Sequence, residues 1–113
     1  MSRKPFIEWS DFEKIDIRTG TIITVENFDK ARKPAYKLWI DFGELGELKT
    51  SAQITDIYSL NSLKGKQVLA IVNFKPKQIA DFMSECLVLG VYTNNGVVLL
   101  ETERGIGNGE RVG

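Results

Sequence analysis

The sequence predicts an all-β fold, a five-stranded Greek-key barrel with short helices and N- and C-terminal extensions. Three observations carry that prediction: segments in which apolar residues recur at every second position, an Asn-Gly hairpin signal at Asn95-Gly96, and a single short helical stretch between the third and fourth strand-like segments. The 113 residues fit one domain, read as 1–113 with a barrel core over about 11–92 and extensions at 1–10 and 93–113.

Ser10-Asp11-Phe12-Glu13 has the pattern of a capping box, with Ser10 as the cap and Glu13 reaching back to it, and Trp9 and Phe12 anchor the turn. From Ile15 to Val25 the odd positions Ile15, Ile17, Ile23 and Val25 are apolar and Ile22 is the exception, the period of a half-buried strand. Gly20 in its middle predicts a bend or bulge there. After the basic turn Lys30-Ala31-Arg32-Lys33-Pro34, the even positions Tyr36, Leu38, Ile40 and Phe42 define a second strand with Lys37, Trp39 and Asp41 on its other face. Gly43-Glu44-Leu45-Gly46 supplies a turn, and Leu48 to Ile54 returns as a third strand at an edge.

Thr55 to Leu63 is expected to form a short helix or turn, capped by Thr55 or Asp56 and stopped by Gly65. Val68 to Val72 carries no polar residue and predicts a central strand covered on both faces. A loop over 75–85 leads to another apolar strand, Cys86 to Tyr92, and Val97 to Leu100 pairs back across the Asn95-Gly96 turn. The glycine-rich tail from Gly105 to Gly113 reads as turns and a short extended segment. Five strands with a helix between the third and fourth is the order of the OB-fold, a partly open barrel that binds oligonucleotides on one face. The apolar surplus at Val97, Val98, Leu99, Leu100, Ile106 and Val112, with Phe6 and Trp9 at the start, predicts a covered surface, most simply a homodimer interface.

Composition narrows the function classes. No histidine is present, which removes the commonest general base and metal ligand. With one cysteine, Cys86, a zinc site would rest on a single thiolate and carboxylates, so neither metal nor other cofactor is expected. An internal disulfide is impossible, and the start, Met1 to Trp9, is charged and lacks a signal peptide's apolar stretch, which points to a cytoplasmic protein with no membrane insertion. Asp81 and Glu85 are the only carboxylate pair worth weighing, and lysines around a solvated loop explain them without chemistry. A non-catalytic binding protein is expected. Net charge is zero, from 15 basic and 15 acidic residues, so any nucleic-acid site must be a local patch.

Two segments supply such a patch: Lys30 to Lys37, with Lys33 and Lys37, and Lys64 to Lys77, with Lys64, Lys66, Lys75 and Lys77; neither contains an acidic residue. They read either as phosphate contacts on one barrel face or as solvated loop lysines. Asn73-Phe74-Lys75-Pro76-Lys77, followed by Ser84-Glu85, adds an amide, a ring, cations, a hydroxyl and a carboxylate, the mixture that reads unstacked bases. The same residues also read as a core phenylalanine flanked by loop formers. For a polypeptide ligand the candidate linings are Trp39, Phe74, Ile79, Phe82 and Met83, with Trp39 standing on the polar face of its strand.

At this point the chain becomes recognisable. Asp16-Ile17-Arg18-Thr19-Gly20, Val72-Asn73-Phe74-Lys75-Pro76-Lys77 and Ser84-Glu85-Cys86-Leu87 resemble the tRNA-binding domain family, whose members are appended to methionyl- and phenylalanyl-tRNA synthetases or stand free as dimers. Lys33-Pro34-Ala35-Tyr36-Lys37-Leu38, Ile40-Asp41-Phe42-Gly43, Ser51-Ala52-Gln53-Ile54 and Leu87-Val88-Leu89-Gly90 are similar to the CsaA-type secretion chaperones, a free-standing branch of that family. The resemblance runs from about Asp11 to Gly113. It implies an OB-fold homodimer without enzyme activity, binding tRNA on one face and unfolded or preprotein polypeptides in an apolar cleft, with a link to the protein export machinery. Carried over by position, Asn73, Lys75, Lys77, Ser84 and Glu85 match the tRNA-contacting motif, and Lys33, Lys37 and Ser51 are further matches. Where tRNA binders usually carry Gly-Met this chain has Cys86-Leu87, and Ala80, Asp81 and Phe82 replace basic and glycine positions, changes that favour a polypeptide partner.

Overall fold

A computed structural model describes residues 2–113; Met1, the first residue of the charged start, lies outside them. The elements are α1 (Trp9–Glu13), β1 (Ile17–Asn27), β2 (Tyr36–Asp41), β3 (Glu47–Ala52), α2 (Leu60–Leu63), β4 (Gln67–Ile71), β5 (Lys77–Ile79), β6 (Phe82–Ser84), β7 (Leu87–Val88), β8 (Gly90–Thr93) and β9 (Gly96–Leu99). The main sheet has the order β3-β2-β1-β4-β7, all antiparallel. Its two ends meet where the Glu85 amide donates to the Lys49 carbonyl at 2.8 Å and the Thr50 hydroxyl donates to the Cys86 carbonyl at 2.6 Å. The result is a nearly closed five-stranded barrel with α2 between its third and fourth strands, the OB-fold order.

Inside it lie Ile22, Leu38, Ile40, Phe42, Leu63, Val68 and Ala70, all fully buried. At about 1.5–3 kcal/mol for each large side chain withdrawn from water, this cluster supplies most of the folding drive. The even positions of β2 are its best-defined wall, as their alternation predicts.

β1 corrects the reading of its own pattern. Its register shifts between Ile22, which pairs with Ile40, and Thr24, which pairs with Trp39, so Ile23 is an extra residue. The bulge reverses which positions face inward. Ile22, the apparent exception, is fully buried, and Ile23 is exposed. Gly20 is not the bend: a Cβ there would stand 2.7 Å from Ile40 and from the Phe42 ring, so glycine lets β1 lie close against β2.

Other boundaries moved for local reasons. The cap of α1 is Glu8, whose amide donates to the Asp11 carboxylate at 2.9 Å, in place of Ser10 and Glu13. Ser59 and Ser62 cap α2 reciprocally, at 2.9 and 3.2 Å, in place of Thr55 or Asp56. The stretch 75–85, read as a loop, contains the hairpin β5–β6, turned by Ala80 at a left-handed φ of 51°. The strand expected over Cys86 to Tyr92 splits into β7 and β8, since β8 leaves the barrel to pair with β9. That hairpin turns on Asn94-Asn95, one residue before the signal.

The glycine-rich tail bonds to its own barrel. β2 leaves β1 at Thr21, and beyond that point the Thr19 amide donates to the Glu110 carbonyl at 3.0 Å, the Gly109 amide to Thr19 at 2.7 Å and the Val112 amide to Ile17 at 2.9 Å. Leu99, expected at a dimer contact, is buried inside this chain's own barrel, with Val97 packed against the same core.

Candidate ligand-binding cleft

Outside the barrel, at the end where β3 meets the β5–β6 hairpin, two hollows run into one another. One, about 500 Å³, is lined by Ser51, Phe74, Lys75, Lys77, Ile79 and the Ser84 to Leu87 segment. The second, about 440 Å³, lies between the 30–35 loop and the hairpin and shares Ser51 and Ile79 with the first. Together they form a groove with Phe74, Ile79, Cys86 and Leu87 as apolar surface and Lys30, Arg32, Lys33, Lys75 and Lys77 as cations.

Folding thus gathers the Lys30–Lys33 turn with Lys75 and Lys77. Lys64 and Lys66 stand apart, before β4 and not after it, and the Lys66 ammonium lies 3.4 Å from Glu101. Among the described residues no carboxylate lies within ion-pairing distance of Lys33, Lys75 or Lys77.

The wall between groove and barrel is a small second core of Phe28, Ala35 and Phe82, with Trp39 and Ile79 packed on it. Phe82 meets Phe28 edge-on at 5.5 Å and Trp39 at 5.9 Å between centroids. The Lys37 ammonium lies 4.9 Å from the Phe28 centroid and 5.2 Å from that of Phe82, and Lys49 lies 5.0 Å from Phe82. Cation–aromatic attraction holds these half-buried lysines over the rings. Lys30 and Asp81, 2.9 Å apart, tie the 30–35 loop to the hairpin turn. Hydrogen bonding to Lys30 holds the Asp81 carboxyl below its usual range, and the same bond raises Lys30.

Three residues of the recognised motif are engaged within the fold. The Asn73 side chain donates to the Lys14 carbonyl at 2.7 Å and accepts from the Asp16 amide at 2.9 Å, pinning the end of β4 to the segment before β1. Ser84 Oγ lies 2.9 Å from the Thr50 hydroxyl and accepts from the Ser51 amide at 3.2 Å. Glu85 Oε1 accepts from the Lys49 amide at 3.0 Å. Phe74, Lys75 and Lys77 are the motif members that present free surface to the groove, with Phe74 55% exposed.

Of the other expected polypeptide contacts, Ile79 lines both hollows and Phe82 is buried beneath Lys37. Met83 is exposed and alternates to the opposite face from Phe82 and Ser84, away from the groove lining. The sequence reading held Lys30 and Arg32 only as members of the basic Lys30–Lys37 segment, and it did not place Leu87 or Lys49 at the site. Lys49 had a detectable signal, because it stands directly opposite Trp39 in the β2–β3 register. Burial, with the Glu85 charge beside it, pushes the Cys86 thiol up to about 12, which makes it an inert part of the wall. Among the described residues no group of three or more metal-ligating side chains forms.

Comparison with known proteins decides the family. The family model described as "Putative tRNA binding domain" matches residues 17–111. The chain belongs to the tRNA-binding domain family. A methionine–tRNA ligase of Bdellovibrio bacteriovorus is 36% identical over 107 residues, covering 94% of this chain, and one of Methanococcoides burtonii is 34% identical over 102 residues, covering 89%. In both cases the match spans 15% of the ligase's own length, so this family member corresponds to an appended domain and not to the catalytic body. Among solved structures, the CsaA chaperone of Picrophilus torridus is 50% identical with a TM-score of 0.91, covering 96% of this chain and 100% of that one. The CsaA chaperone of Bacillus anthracis is 45% identical with the same TM-score and coverage. A protein related to methionyl-tRNA synthetase from Pyrococcus horikoshii is 26% identical with a TM-score of 0.85, covering 96% and 99%. No helix among the described residues is long and apolar enough to cross a membrane.

Proposed function

We propose that this tRNA-binding-domain protein is a non-catalytic chaperone that holds unfolded or preprotein polypeptides in the groove beside β3. The carrying observation is the groove's make-up: Phe74, Ile79 and Leu87 offer apolar surface beside Lys75 and Lys77, which have no carboxylate within ion-pairing distance among the described residues. Likeness over the whole chain to proteins described as chaperones supports the same reading. The engagement of Asn73, Ser84 and Glu85 inside the fold also favours it, since these side chains are less available to read bases. The protein works in the cytoplasm, in contact with the export machinery, as a homodimer. Exposed Phe6, Trp9, Val98, Leu100 and Ile106 supply the apolar surface for the dimer contact.

A second reading, structure-selective tRNA binding with no chaperone role, is favoured by one observation: Lys30, Arg32, Lys33, Lys75 and Lys77 come together around an exposed Phe74. Titration with an unfolded preprotein and with bulk tRNA, each at low and moderate salt, separates the two. A chaperone binds the preprotein with little salt dependence and loses it on Phe74→Asp. A tRNA binder neutralising roughly four to six phosphates per dimer shows a log–log salt slope of about −3 to −5, abolished by Lys75→Glu with Lys77→Glu. tRNA binding with no preprotein binding overturns the chaperone reading.

A further inference from the structure

Edge strands present alternate amides and carbonyls to one side, and an open edge is a template for a further strand. β3 lies at the end of the main sheet and has a ladder only with β2. Its outer edge is satisfied unevenly. At Lys49 both backbone groups are taken by Glu85, the amide by the carboxylate at 3.0 Å and the carbonyl by the Glu85 amide at 2.8 Å, and this closes the barrel. One step further in the same alternation, the Ser51 amide reaches only the Ser84 hydroxyl, at 3.2 Å. That hydroxyl has a second partner 2.9 Å away in Thr50, so it can release Ser51 at little cost. The next residue facing that edge, Gln53, is exposed, and Ser51 and Gln53 both line the groove.

Resting on the polypeptide reading above, we propose that the β3 edge at Ser51 and Gln53 is a strand-acceptor site. An extended polypeptide adds there through its backbone, with alternate side chains on the Phe74–Ile79–Leu87 surface and the intervening ones toward Lys33, Lys75 and Lys77. Charge complementarity selects the occupant, a segment alternating apolar with acidic residues: the groove's cations outnumber its carboxylates, Glu85 being bonded to the Lys49 amide and Asp81, in the adjoining turn, paired with Lys30. Main-chain pairing supplies affinity, and the side chains demand only that alternating pattern and no particular residues.

The test uses a synthetic peptide alternating leucine and glutamate and a series in which single backbone nitrogens are methylated. Strand addition predicts that methylation weakens binding by about 3- to 10-fold at every second position and leaves the positions between unchanged. It also predicts that peptide protects the Ser51 and Gln53 amides from hydrogen exchange. Tight binding of the parent with a flat methylation profile, or with no protection at Ser51 and Gln53, overturns strand addition while the polypeptide reading stands. No binding of the parent or of an unfolded preprotein overturns both.

Discussion

The barrel interior and the β3–hairpin seam are two cores built on different principles. The interior is aliphatic and aromatic, buried, and framed by backbone ladders between neighbouring strands. The seam has three buried residues, Phe28, Ala35 and Phe82, roofed by lysines, and it is joined to the barrel by the side chains of Ser84 and Glu85 together with single backbone links. Backbone ladders cannot give way one bond at a time without cost, whereas a hydroxyl can rotate. The rigid region sets the shape, and the groove sits on the region that can yield.

The comparison breaks first at Phe42. Phe42→Ala opens a cavity in the sealed interior and should cost about 4–5 kcal/mol, read as a shift in the denaturation midpoint. Phe82→Ala should cost less, about 2–3 kcal/mol, because a half-open seam collapses around the gap, and it should weaken preprotein binding as well. If Phe82→Ala is as damaging as Phe42→Ala, the seam is part of the main core and the distinction fails.

Ser84→Ala removes a link at the seam and should cost about 1–2 kcal/mol, leaving the Thr50 hydroxyl with the Cys86 carbonyl it already uses. It should leave preprotein affinity unchanged or raise it, as measured by titration. Cys86 sharpens the contrast at alkaline pH. Its thiol titrates at about 12 when folded against 9.0 ordinarily. The folded state therefore keeps a proton that the unfolded chain loses, and this contribution, complete below the ordinary thiol range, falls away as pH rises toward the folded value. Cys86→Ala should flatten that alkaline decline in denaturant midpoints. The smallest effect is expected at the exposed Lys30–Asp81 pair, where Lys30→Met should leave thermal stability unchanged within error at neutral pH.

Most barrel strands were legible because they carry a period-two or unbroken apolar pattern, clearest at Tyr36 to Phe42, whereas β3 shows neither and was placed by the Gly43–Gly46 turn that precedes it. The hairpin β5–β6 was not: Lys77 to Ser84 mixes polar, apolar and small residues, and Phe82 is buried only because Phe28, just past the end of β1, and Trp39 of β2 come to it. The same holds for the groove. Lys75, Lys77, Phe74 and Ile79 could be named from sequence, but their union with the Lys30–Lys33 turn, and the exclusion of Lys64 and Lys66, depend on which end of β4 each occupies.

By itself the sequence determined the strand order, the inward face of β2, the position of the helix between the third and fourth barrel strands and the family to which the chain belongs. Those properties rest on local periodicity and on motifs that survive without a partner. Tertiary structure alone decided that Ile23 is a bulge, that Gly20 exists for close packing and that Asn73, Ser84 and Glu85 bond to their own chain. Each depends on what a distant segment places opposite the residue: Ile40 and Phe42 against Gly20, Lys14 and Asp16 against Asn73, Lys49 and Ser51 against Glu85 and Ser84.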